Sequence, residues 1–555
     1  MQLFIVTALS ILNWDIIIFI YYSYLSKKSE KSIKMLKYPY ILIFLIIFSS
    51  CSTPKTEVDI ILSGGEVYDG ENINPERKDI IIQGDSILEL TTNWKEKYTC
   101  NNVIDLTNYV VSPGFIDPHT HAFDDLSSTT NNANLNFLKQ GVTTVITGND
   151  GGGPVKIADT FAKWKEQGIG VNAGLLVGHG TVRKLAMGLR DEKPTEEALN
   201  TMRMFVKQAM EEGALGLSSG LYYSPGSFAQ TEEVIELAKV ASAYNGIYDT
   251  HMRDESSYNI GLKAAVEEAV EIAVKGNIPL QISHIKCLGT DVWNTSSDLI
   301  NYIDSCRNAG VNITANQYPY NASGTNVISA IFPRWTQAGG PDAFLQRIHD
   351  PAQRPKIYKE ITENIRKRGG ASSLLITRYK DASLIKHNLQ EVADIWQLTP
   401  EEAAFRIAEN GNARLASFNM IEEDITNFMK QDWVVTGSDG STGHPRKFGT
   451  FPRKLEKYVM EGKVMSLGEF INKSSAKTAE IFGITDRGKI AKGYKADLII
   501  FKPEQVAEKA TFQEPELYAE GIQYLIINGK LAIKDGEYTG ILAGEIVKKQ
   551  VALEN

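Results

Sequence analysis

The stretch GFIDPHTH, from Gly114 to His121, carries the strongest signal in this sequence of 555 residues. It places His119 and His121 two residues apart, at the end of an apolar run that begins at Tyr109. Side chains of a β-strand alternate between two faces, so both imidazoles would point to the same side. Two neutral imidazoles at one strand end suit a divalent metal ion, although an isolated pair also fits hydrogen-bonded surface histidines.

Three other polar residues end apolar runs in the same way. His251 closes GIYDTHMR, His284 lies in IPLQISHIK and Asp439 lies in WVVTGSDG. The chain has only 8 histidines, so this recurrence argues against chance. Side chains at the carboxyl ends of parallel strands gather at one edge of the sheet, and we therefore expect a metal site there.

Strand and helix patterns alternate between residues 113 and 480. The apolar strand candidates are GFIDPHTH, TTVITGND, VNAGLLVGHG, GALGLSSG, GIYDTHMR, PLQISHIK, VNITANQYPY and WVVTGSDG. Amphipathic segments such as TEEALNTMRMFVKQAMEE separate most of them. Eight strand–helix units predict an α/β fold, a (β/α)8 TIM-like barrel. The stretch 321–432 is too long for one crossover and predicts an insertion, for which a lid over the barrel mouth is one role.

Short β-branched runs with Gly, Asp and Asn turns flank the barrel region on both sides. Residues 58–112 contain VDIILSGGEVYDG and KDIIIQGDSILEL, and residues 481–549 contain KGYKADLIIFKP and GIQYLIINGKLAIKDGEYTG. Asn528-Gly529 and Asp535-Gly536 are hairpin signals. We therefore predict one small β-sandwich domain formed from both chain ends.

The first 51 residues have a different composition. Two apolar segments, 3–24 and 38–48, are separated by the lysine-rich SKKSEKSIK. The second segment follows Met35 and ends in FSSCS, so residues 35–51 are interpreted as a lipoprotein-type signal in which Cys51 is acylated. Residues 1–34 would then be an N-terminal extension. Acyl chains would tether the protein to a membrane in the cell envelope, and a transmembrane anchor formed by the first segment is the alternative.

The rest of the chain excludes several classes of protein. The formal net charge is -9 and the globular part has no long basic run, which argues against a nucleic-acid partner. The 4 cysteines are too few for a disulfide framework, although Cys287 follows His284 closely. GLSSGL does not have the GxSxG spacing of a serine hydrolase, and GNDGGGP lacks the residues of a phosphate loop. The sequence does not indicate an oligomeric state.

Together these motifs resemble the amidohydrolase superfamily, in which HxH follows strand one, single histidines follow strands five and six, and aspartate follows strand eight. THMRDE, SHIKCLG, ANQYPYNASGT, GSDG and HPRKFGTFPRKL are similar to the N-acyl-D-amino-acid deacylase (D-aminoacylase) branch, and the likeness covers about residues 58–549. The resemblance implies one or two divalent metal ions per chain, with zinc favoured. It also implies hydrolysis of the amide bond of N-acyl-D-amino acids to a carboxylate and a free D-amino acid.

The resemblance assigns metal ligands to the strand ends. Asp150, His251 and His284 are expected to form the tighter metal site. His119 and His121 are expected to form a second or auxiliary site. The family usually has cysteine in a GNCG turn where this chain has GNDG, and the harder carboxylate would shift the preference from zinc toward manganese. A carboxylate that only caps the glycine turn is the alternative.

Asp439 is the expected general base and acid. It would take a proton from the attacking water and deliver it to the departing amine. A metal ion would activate that water, lowering its pKa toward about 7, and polarise the carbonyl. A role for Asp439 as a metal ligand or turn cap is compatible with this assignment.

Cleavage of an N-acyl amino acid also requires a grip on the α-carboxylate. The resemblance favours Lys286, together with a tyrosine of the QYPY motif. The other candidates are Arg253, Tyr222, Tyr223, Tyr318, Tyr320 and, more weakly, Arg378 and His444. For each of them, a structural ion pair or a solvated side chain is the alternative. Gly324 stands where many relatives place serine, so one hydrogen-bond donor would be lost.

Two other functions stay open. The first is a dipeptidase, dihydroorotase-like or hydantoinase-like enzyme. Such enzymes more often bridge two metals with a carboxylated lysine after strand four, and the strand-four segment GALGLSSG has no lysine, which counts against them. A metal-free binding scaffold would not need the four histidines and Asp439, although the departure at Asp150 leaves this alternative open.

Overall fold

The computed structural model of the protein describes residues 55–549. The interpreted signal segment and N-terminal extension lie outside the described residues. Among residues 55–549, no helix is both long and apolar enough to cross a membrane. Thr56–Glu57 and Tyr98–Thr99 pair in parallel and belong to a small unit separate from the main one, which comprises residues 58–94 and 100 onward.

The strands lie in chain order as follows. They are β1 (Thr56–Glu57), β2 (Ile60–Ser63), β3 (Glu66–Val67), β4 (Glu76–Arg77), β5 (Asp79–Gln83), β6 (Ser86–Thr91), β7 (Tyr98–Thr99), β8 (Val103–Asp105), β9 (Val110–Pro113), β10 (Phe115–Thr120), β11 (Val142–Thr147), β12 (Asn172–Leu175), β13 (Val177–Gly178), β14 (Gly216–Gly220), β15 (Ile247–His251), β16 (Leu280–Ile282), β17 (Ile313–Gln317), β18 (Ala322–Asn326), β19 (Leu374–Arg378), β20 (Arg414–Phe418), β21 (Val434–Thr436), β22 (Leu498–Phe501), β23 (Ile522–Ile527), β24 (Lys530–Lys534), β25 (Glu537–Tyr538) and β26 (Ile546–Val547).

The helices alternate with these strands through the central part of the chain. They are α1 (Phe123–Ser127), α2 (Leu135–Leu138), α3 (Ile157–Gln167), α4 (His179–Met187), α5 (Glu196–Glu211), α6 (Thr231–Ser242), α7 (Leu262–Gly276), α8 (Ser296–Asn308), α9 (Val327–Ile331), α10 (Pro341–His349), α11 (Arg354–Lys367), α12 (Leu389–Trp396), α13 (Pro400–Glu409), α14 (Glu422–Lys430), α15 (Arg446–Arg453), α16 (Leu467–Ser474) and α17 (Ala476–Phe482), and α15 continues into a π-helix, Lys454–Glu461.

The central strands pair in parallel around a barrel. The order is β10, β11 and β12, followed by β13, β14, β15, β16, β17 and β21, with β12 and β13 separated only by Leu176. The two ends meet where the Asp439 amide donates to the His119 carbonyl at 2.9 Å. A parallel bridge between Thr120 and Gly440 lies beside this bond. Counting β12 and β13 as one interrupted strand, the predicted (β/α)8 barrel is confirmed.

The crossover helices bury one apolar stripe each. In α5, Met202, Val206 and Met210 are buried at spacings of four residues, the period of one helix face. The Thr195 side chain accepts a hydrogen bond from the Ala198 amide and fixes where the helix begins. Full burial of one such apolar side chain contributes about 1.5–3 kcal/mol. These stripes hold the helices against the barrel and keep the strand ends in place.

Both ends of the main unit form the small β domain. One sheet has the order β25-β24-β23-β22-β9-β3-β4, and a second has the order β6-β5-β2-β8. Ile80, Leu498 and Ile526 share a buried apolar cluster between them. The predicted β-sandwich is confirmed. β26 differs from the expected C-terminal part, because it pairs with β12 of the barrel at Ala173 and Gly174.

The segment between β17 and β21 carries the insertion. β18, β20 and β19 form an antiparallel sheet, and α9 to α13 enclose an apolar core that includes Phe332, Phe344 and Phe405. α14 contacts α8 and β21, so it belongs to the barrel and the insertion ends before it. β18, β19 and β20 contribute residues to the wall of the cavity at the barrel mouth.

Candidate active site and metal centre

A cavity of about 610 Å³ lies at the carboxyl ends of the barrel strands. The barrel lines it with His121, Asp150, His251, His284, Lys286 and Asp439. The insertion lines it with Ser323, Gly324, Thr325, Asn326, Arg378 and Arg414. Strand ends and inserted sheet therefore enclose one space, the arrangement in which barrel enzymes place their chemistry.

Asp150 lies where the four strand-end histidines converge. Its Oδ1 is 3.4 Å from His119 Nε2 and 3.6 Å from His251 Nδ1. The same oxygen is 3.6 Å from His284 Nε2, and Oδ2 is 3.5 Å from His121 Nε2. The carboxylate that replaces the family's cysteine thus faces strands one, five and six together.

Asp439 lies beside this cluster. Its Oδ1 is 3.0 Å from His121 Nε2 and 3.8 Å from His119 Nε2. Its Oδ2 is 2.8 Å from Arg446 Nη1 and 4.0 Å from His284 Nε2. One carboxylate oxygen therefore faces the histidines, and the other is held by a guanidinium.

Turns at the strand ends aim these side chains into the cavity. Asp150, His284 and Asp439 have φ angles of 56°, 36° and 47°, in the left-handed region that costs a residue with a Cβ about 1–3 kcal/mol. Gly220 makes room for the turn at Asp150, because a Cβ at position 220 would lie 2.2 Å from the Asp150 carbonyl oxygen. Asp117 in turn accepts from the Ser438 amide at 3.0 Å. Residues in such conformations cluster at functional sites.

Buried polar atoms in this cluster fit a divalent cation. His119 Nε2, both ring nitrogens of His251 and Asp150 Oδ1 are buried and find no hydrogen-bond partner among residues 55–549. Leaving such a group unsatisfied costs about 1–3 kcal/mol. Imidazole nitrogen and carboxylate oxygen are ligands that zinc accepts. A bound metal would satisfy these atoms together.

Two overlapping groups of ligand atoms are close enough to hold a metal. The ligand atoms of His119, Asp150, His284 and Asp439 lie within 4.8 Å of one another. His251, Glu255 and His284 form a second group by the same measure. Both groups contain His284, and His251 Nδ1 lies as close to Asp150 Oδ1 as His284 Nε2 does, at 3.6 Å. The tighter site expected from Asp150, His251 and His284 stays a prediction.

The electrostatics keep both aspartates ionised. Burial would raise the pKa of Asp439, but the Arg446 guanidinium and the His284 imidazole hold it well below its usual range. Burial would likewise raise the pKa of Asp150, and His119 outweighs it and keeps that pKa well below its usual range. Two carboxylates that stay charged at neutral pH provide the negative charge that a divalent cation requires.

His284 gives metal binding a pH dependence. Burial and Lys286 would lower the pKa of His284, but the Glu255 and Asp439 carboxylates outweigh them and raise it to about 9. A protonated imidazole cannot bind a metal, so binding to the metal-free protein must expel this proton. We expect the apparent zinc affinity to rise about tenfold per pH unit up to about pH 9. Calorimetry at pH 7 in two buffers with different ionisation enthalpies measures the released proton, and release of none would contradict this expectation.

Lys286 lines the cavity, and its ammonium already has partners. It donates to Glu255 Oε1 at 2.5 Å and to the His284 carbonyl at 2.7 Å. Glu255 is buried, and although burial would raise its pKa, Lys286 and the two neighbouring histidines keep that pKa far below its usual range. Glu255 is a site residue whose only signal in the sequence is its position four residues after His251 in THMRDE.

The tyrosine candidates on the cavity wall differ in the partners of their hydroxyl groups and rings. Tyr318 lines the cavity with a hydroxyl that lacks a partner among the described residues, and its ring lies 4.6 Å below the Arg446 guanidinium. Tyr223 lines the same wall, with its ring 4.7 Å from that of His251. Tyr222 also lines the wall, but its hydroxyl donates to the Ser329 carbonyl. The Tyr318 hydroxyl is thus available to a ligand, as is that of Tyr258, which also lines the cavity and lacks a partner among the described residues.

The structure does not bring Arg253, Tyr320 and His444 to the cavity wall. Arg253 donates to both Glu268 oxygens, because β15 ends at His251 and the strand alternation no longer applies two residues later. The Tyr320 hydroxyl donates to Glu508 at 2.5 Å. For these two residues, the expected substrate contact is replaced by a structural one. His444 Nε2 bonds to the Ala322 carbonyl at 3.0 Å, in the structural role expected for it.

Arg446 is a site residue that sequence reasoning missed, although it lies in the quoted motif HPRKFGTFPRKL. A Cβ at Gly324 would lie 2.8 Å from Arg446 Nη2 and 3.1 Å from Ser441 Oγ. The Arg446 guanidinium therefore fills the space beside Gly324. The sequence predicted only the loss of a hydrogen-bond donor at this position. Arg414 and Arg368 also line the cavity and were not singled out.

Two other residues of interest are structural. His179 Nε2 bonds to Glu233 at 2.8 Å and Arg183 bonds to the same carboxylate, all buried beside β13. Cys287 is buried, and burial raises the pKa of its thiol to about 12 despite a contact with Thr295. A thiol with that pKa is not a nucleophile at neutral pH.

The barrel and its ring of histidines and aspartates define the class of metal-dependent hydrolases built on (β/α)8 barrels. Residues 102–312 and 406–533 match the Amidohydrolase family (Amidohydro_3), and the chain belongs to this family. The resemblance inferred from the motifs is confirmed.

Relatives cover nearly the whole chain. D-aminoacylase of Alcaligenes xylosoxydans xylosoxydans is 30% identical over 521 residues, which are 89% of this chain and 98% of that protein. A D-aminoacylase structure with a binuclear metal centre superposes with a TM-score of 0.75 at 29% identity and covers 88% of this chain and 99% of its own. N-acyl-D-glutamate deacylase from Bordetella bronchiseptica, in complex with zinc and a phosphonate inhibitor, gives a TM-score of 0.76 at 27% identity, covering 89% of this chain and 100% of its own.

Proposed function

We propose that this protein is a metal-dependent deacylase that hydrolyses N-acyl-D-amino acids to a carboxylate and a free D-amino acid. The observation that carries the proposal is the convergence of four histidines on Asp150 with Asp439 alongside. The similarity to D-aminoacylase and to N-acyl-D-glutamate deacylase supports the substrate class. GALGLSSG, the strand-four segment, lacks the lysine of many two-metal relatives, which disfavours a hydantoinase-like activity.

The chain's own residues perform the proton transfers. When bound by His119, Asp150, His284 and Asp439, a divalent metal would polarise the scissile carbonyl and lower the pKa of the attacking water. Asp439 Oδ1 accepts the proton of that water and returns it to the departing amine. Arg446 holds Oδ2, so the accepting oxygen keeps its orientation through both transfers.

The α-carboxylate is held by cationic and phenolic groups of the wall. Tyr318 offers a hydroxyl with no other partner among the described residues, and Lys286 and Arg446 flank its ring at 5.7 Å and 4.6 Å. A carboxylate bound there accepts a phenolic hydrogen bond and is attracted by both cations. Lys286 would share its ammonium between the substrate and Glu255.

The activity is tested with paired enantiomers. The purified protein, in metal-free form and after addition of zinc or manganese, is assayed with N-acetyl-D- and N-acetyl-L-amino acids. Metal-dependent release of D-amino acids is the expected result. Turnover of the L-series alone, or no turnover of either series with metal bound, would refute the deacylase assignment.

The cell envelope is the proposed location. The lysine-flanked apolar segment that ends at Cys51 supports a lipid anchor. Metabolic labelling with palmitate in a bacterial host is expected to mark the protein and to be lost in Cys51→Ala. Equal labelling of both proteins, or labelling of neither, would refute the lipid anchor.

A further inference from the structure

Two arginines of the insertion face the cavity side by side. Arg378 ends β19, Arg414 begins β20, and the two are direct partners in the antiparallel register. Both line the cavity. Among residues 55–549, neither guanidinium has a carboxylate within ion-pair distance or a hydrogen-bond acceptor. The wall therefore presents two adjacent positive charges without a protein counter-ion.

The other cations of the site already have partners among the described residues. Lys286 pairs with Glu255, and Arg446 pairs with Asp439. Arg368 donates to the Ala330 carbonyl, to Ser417 and to Tyr222. Among the described residues of the wall, Arg378 and Arg414 are thus the cations that lack both a carboxylate partner and a hydrogen-bond acceptor. Arg368 has acceptors but no carboxylate, and Asp124 is an exposed acid on α1 without an ion pair.

Like charges placed directly opposite on paired strands destabilise a sheet. Arg414 is half-buried, and burial, followed by repulsion from Arg446 and Arg378, lowers its pKa. A bound anion removes this cost, since guanidinium groups bind carboxylates through paired hydrogen bonds. The pair is therefore arranged for an anion that enters with the ligand.

We infer that the substrate is a dianion whose second carboxylate binds between Arg378 and Arg414, separately from the α-carboxylate at Tyr318. The inference rests on the proposed deacylase function and narrows its substrate class. The second carboxylate has two chemical sources. It is either the side chain of an acidic D-amino acid or the free end of a dicarboxylic acyl group, such as succinyl.

Three substrates separate these sources in the metal-loaded protein. N-acetyl-D-glutamate carries the charge on the side chain, N-succinyl-D-glutamine carries it on the acyl group, and N-acetyl-D-glutamine carries neither. We expect one of the dianions to exceed N-acetyl-D-glutamine in kcat/KM by about 10- to 100-fold, the effect of one charged hydrogen-bonded contact. The preferred dianion identifies the source.

Variants assign the preference to the arginine pair. Arg414→Gln and Arg378→Gln are each expected to lower the ratio of dianion to monoanion kcat/KM by about 10-fold or more. Arg203→Gln removes a partly exposed arginine of α5, outside the cavity, and is the matched control that should keep the ratio. Because Arg378 is exposed at the end of its strand, its variant keeps the test valid if Arg414→Gln does not fold.

The outcomes separate the inference from the function on which it rests. A wild-type preference for N-acetyl-D-glutamine, or a ratio that neither arginine variant changes, would overturn the dianion inference and leave the deacylase function standing. Hydrolysis of none of the three D-substrates would overturn both.

Discussion

Asp439→Asn is expected to lower kcat by about 10²- to 10⁴-fold, the usual contribution of a general acid–base group. Asparagine keeps the size of the side chain but cannot accept the proton of the attacking water. The change also removes the partner of Arg446, which sits 2.8 Å from Oδ2, so a guanidinium would be left buried without its counter-ion. Steady-state kinetics on N-acetyl-D-glutamate, with metal content measured on the same samples, provide the test.

Asp124→Asn is the matched control for this substitution, since Asp124 is an exposed carboxylate on the same cavity wall with no ion pair among the described residues. It is expected to lose much less activity than Asp439→Asn. If Asp439→Asn keeps kcat within about tenfold of wild type, the general-base assignment is wrong. If it loses metal in parallel with activity, Asp439 acts chiefly as a ligand.

Asp150→Ala is expected to remove metal from the protein. Structural zinc sites with four ligands bind with about 10–16 kcal/mol, so one ligand accounts for about 3 kcal/mol, or roughly 100-fold in affinity. The four histidines would also lose the carboxylate on which they converge. Metal content after dialysis and activity should fall together.

Asp150→Cys provides the informative counterpart. It returns the thiolate that the family usually has, so we expect zinc binding and activity to recover relative to Asp150→Ala. The preference between metals should move from manganese toward zinc, because thiolate is the softer ligand. Full metal content in Asp150→Ala would instead show that Asp150 only caps its glycine turn.

The barrel and its strand-end ligands follow from local patterns. Each histidine closes an apolar run, and a parallel barrel brings such ends together whatever the distance along the chain. The division of these ligands between two metal sites could not be predicted from the local patterns. How the imidazoles of His119 and His251 are arranged around Asp150 and His284 depends on left-handed turns of a few residues, which alternation cannot encode.

Substrate-side residues were the harder part to predict. The expected contact of Arg253 with the substrate is not found, because β15 ends two residues earlier. The Arg253 side chain reaches Glu268 instead of the cavity. Arg414 and Arg446 come from the insertion and from the segment after β21, whose positions relative to the barrel mouth depend on long-range packing. Only the folded chain shows that they share one wall.

Titration of zinc into the metal-free protein is the decisive test of a catalytic metal at the Asp150 cluster, with bound metal and the rate of N-acetyl-D-glutamate hydrolysis followed on the same samples. We expect no hydrolysis before zinc is added and an activity that rises in proportion to the metal bound at the Asp150 cluster. Full activity without metal, or metal bound at that cluster with no hydrolysis of any N-acyl-D-amino acid, would contradict it.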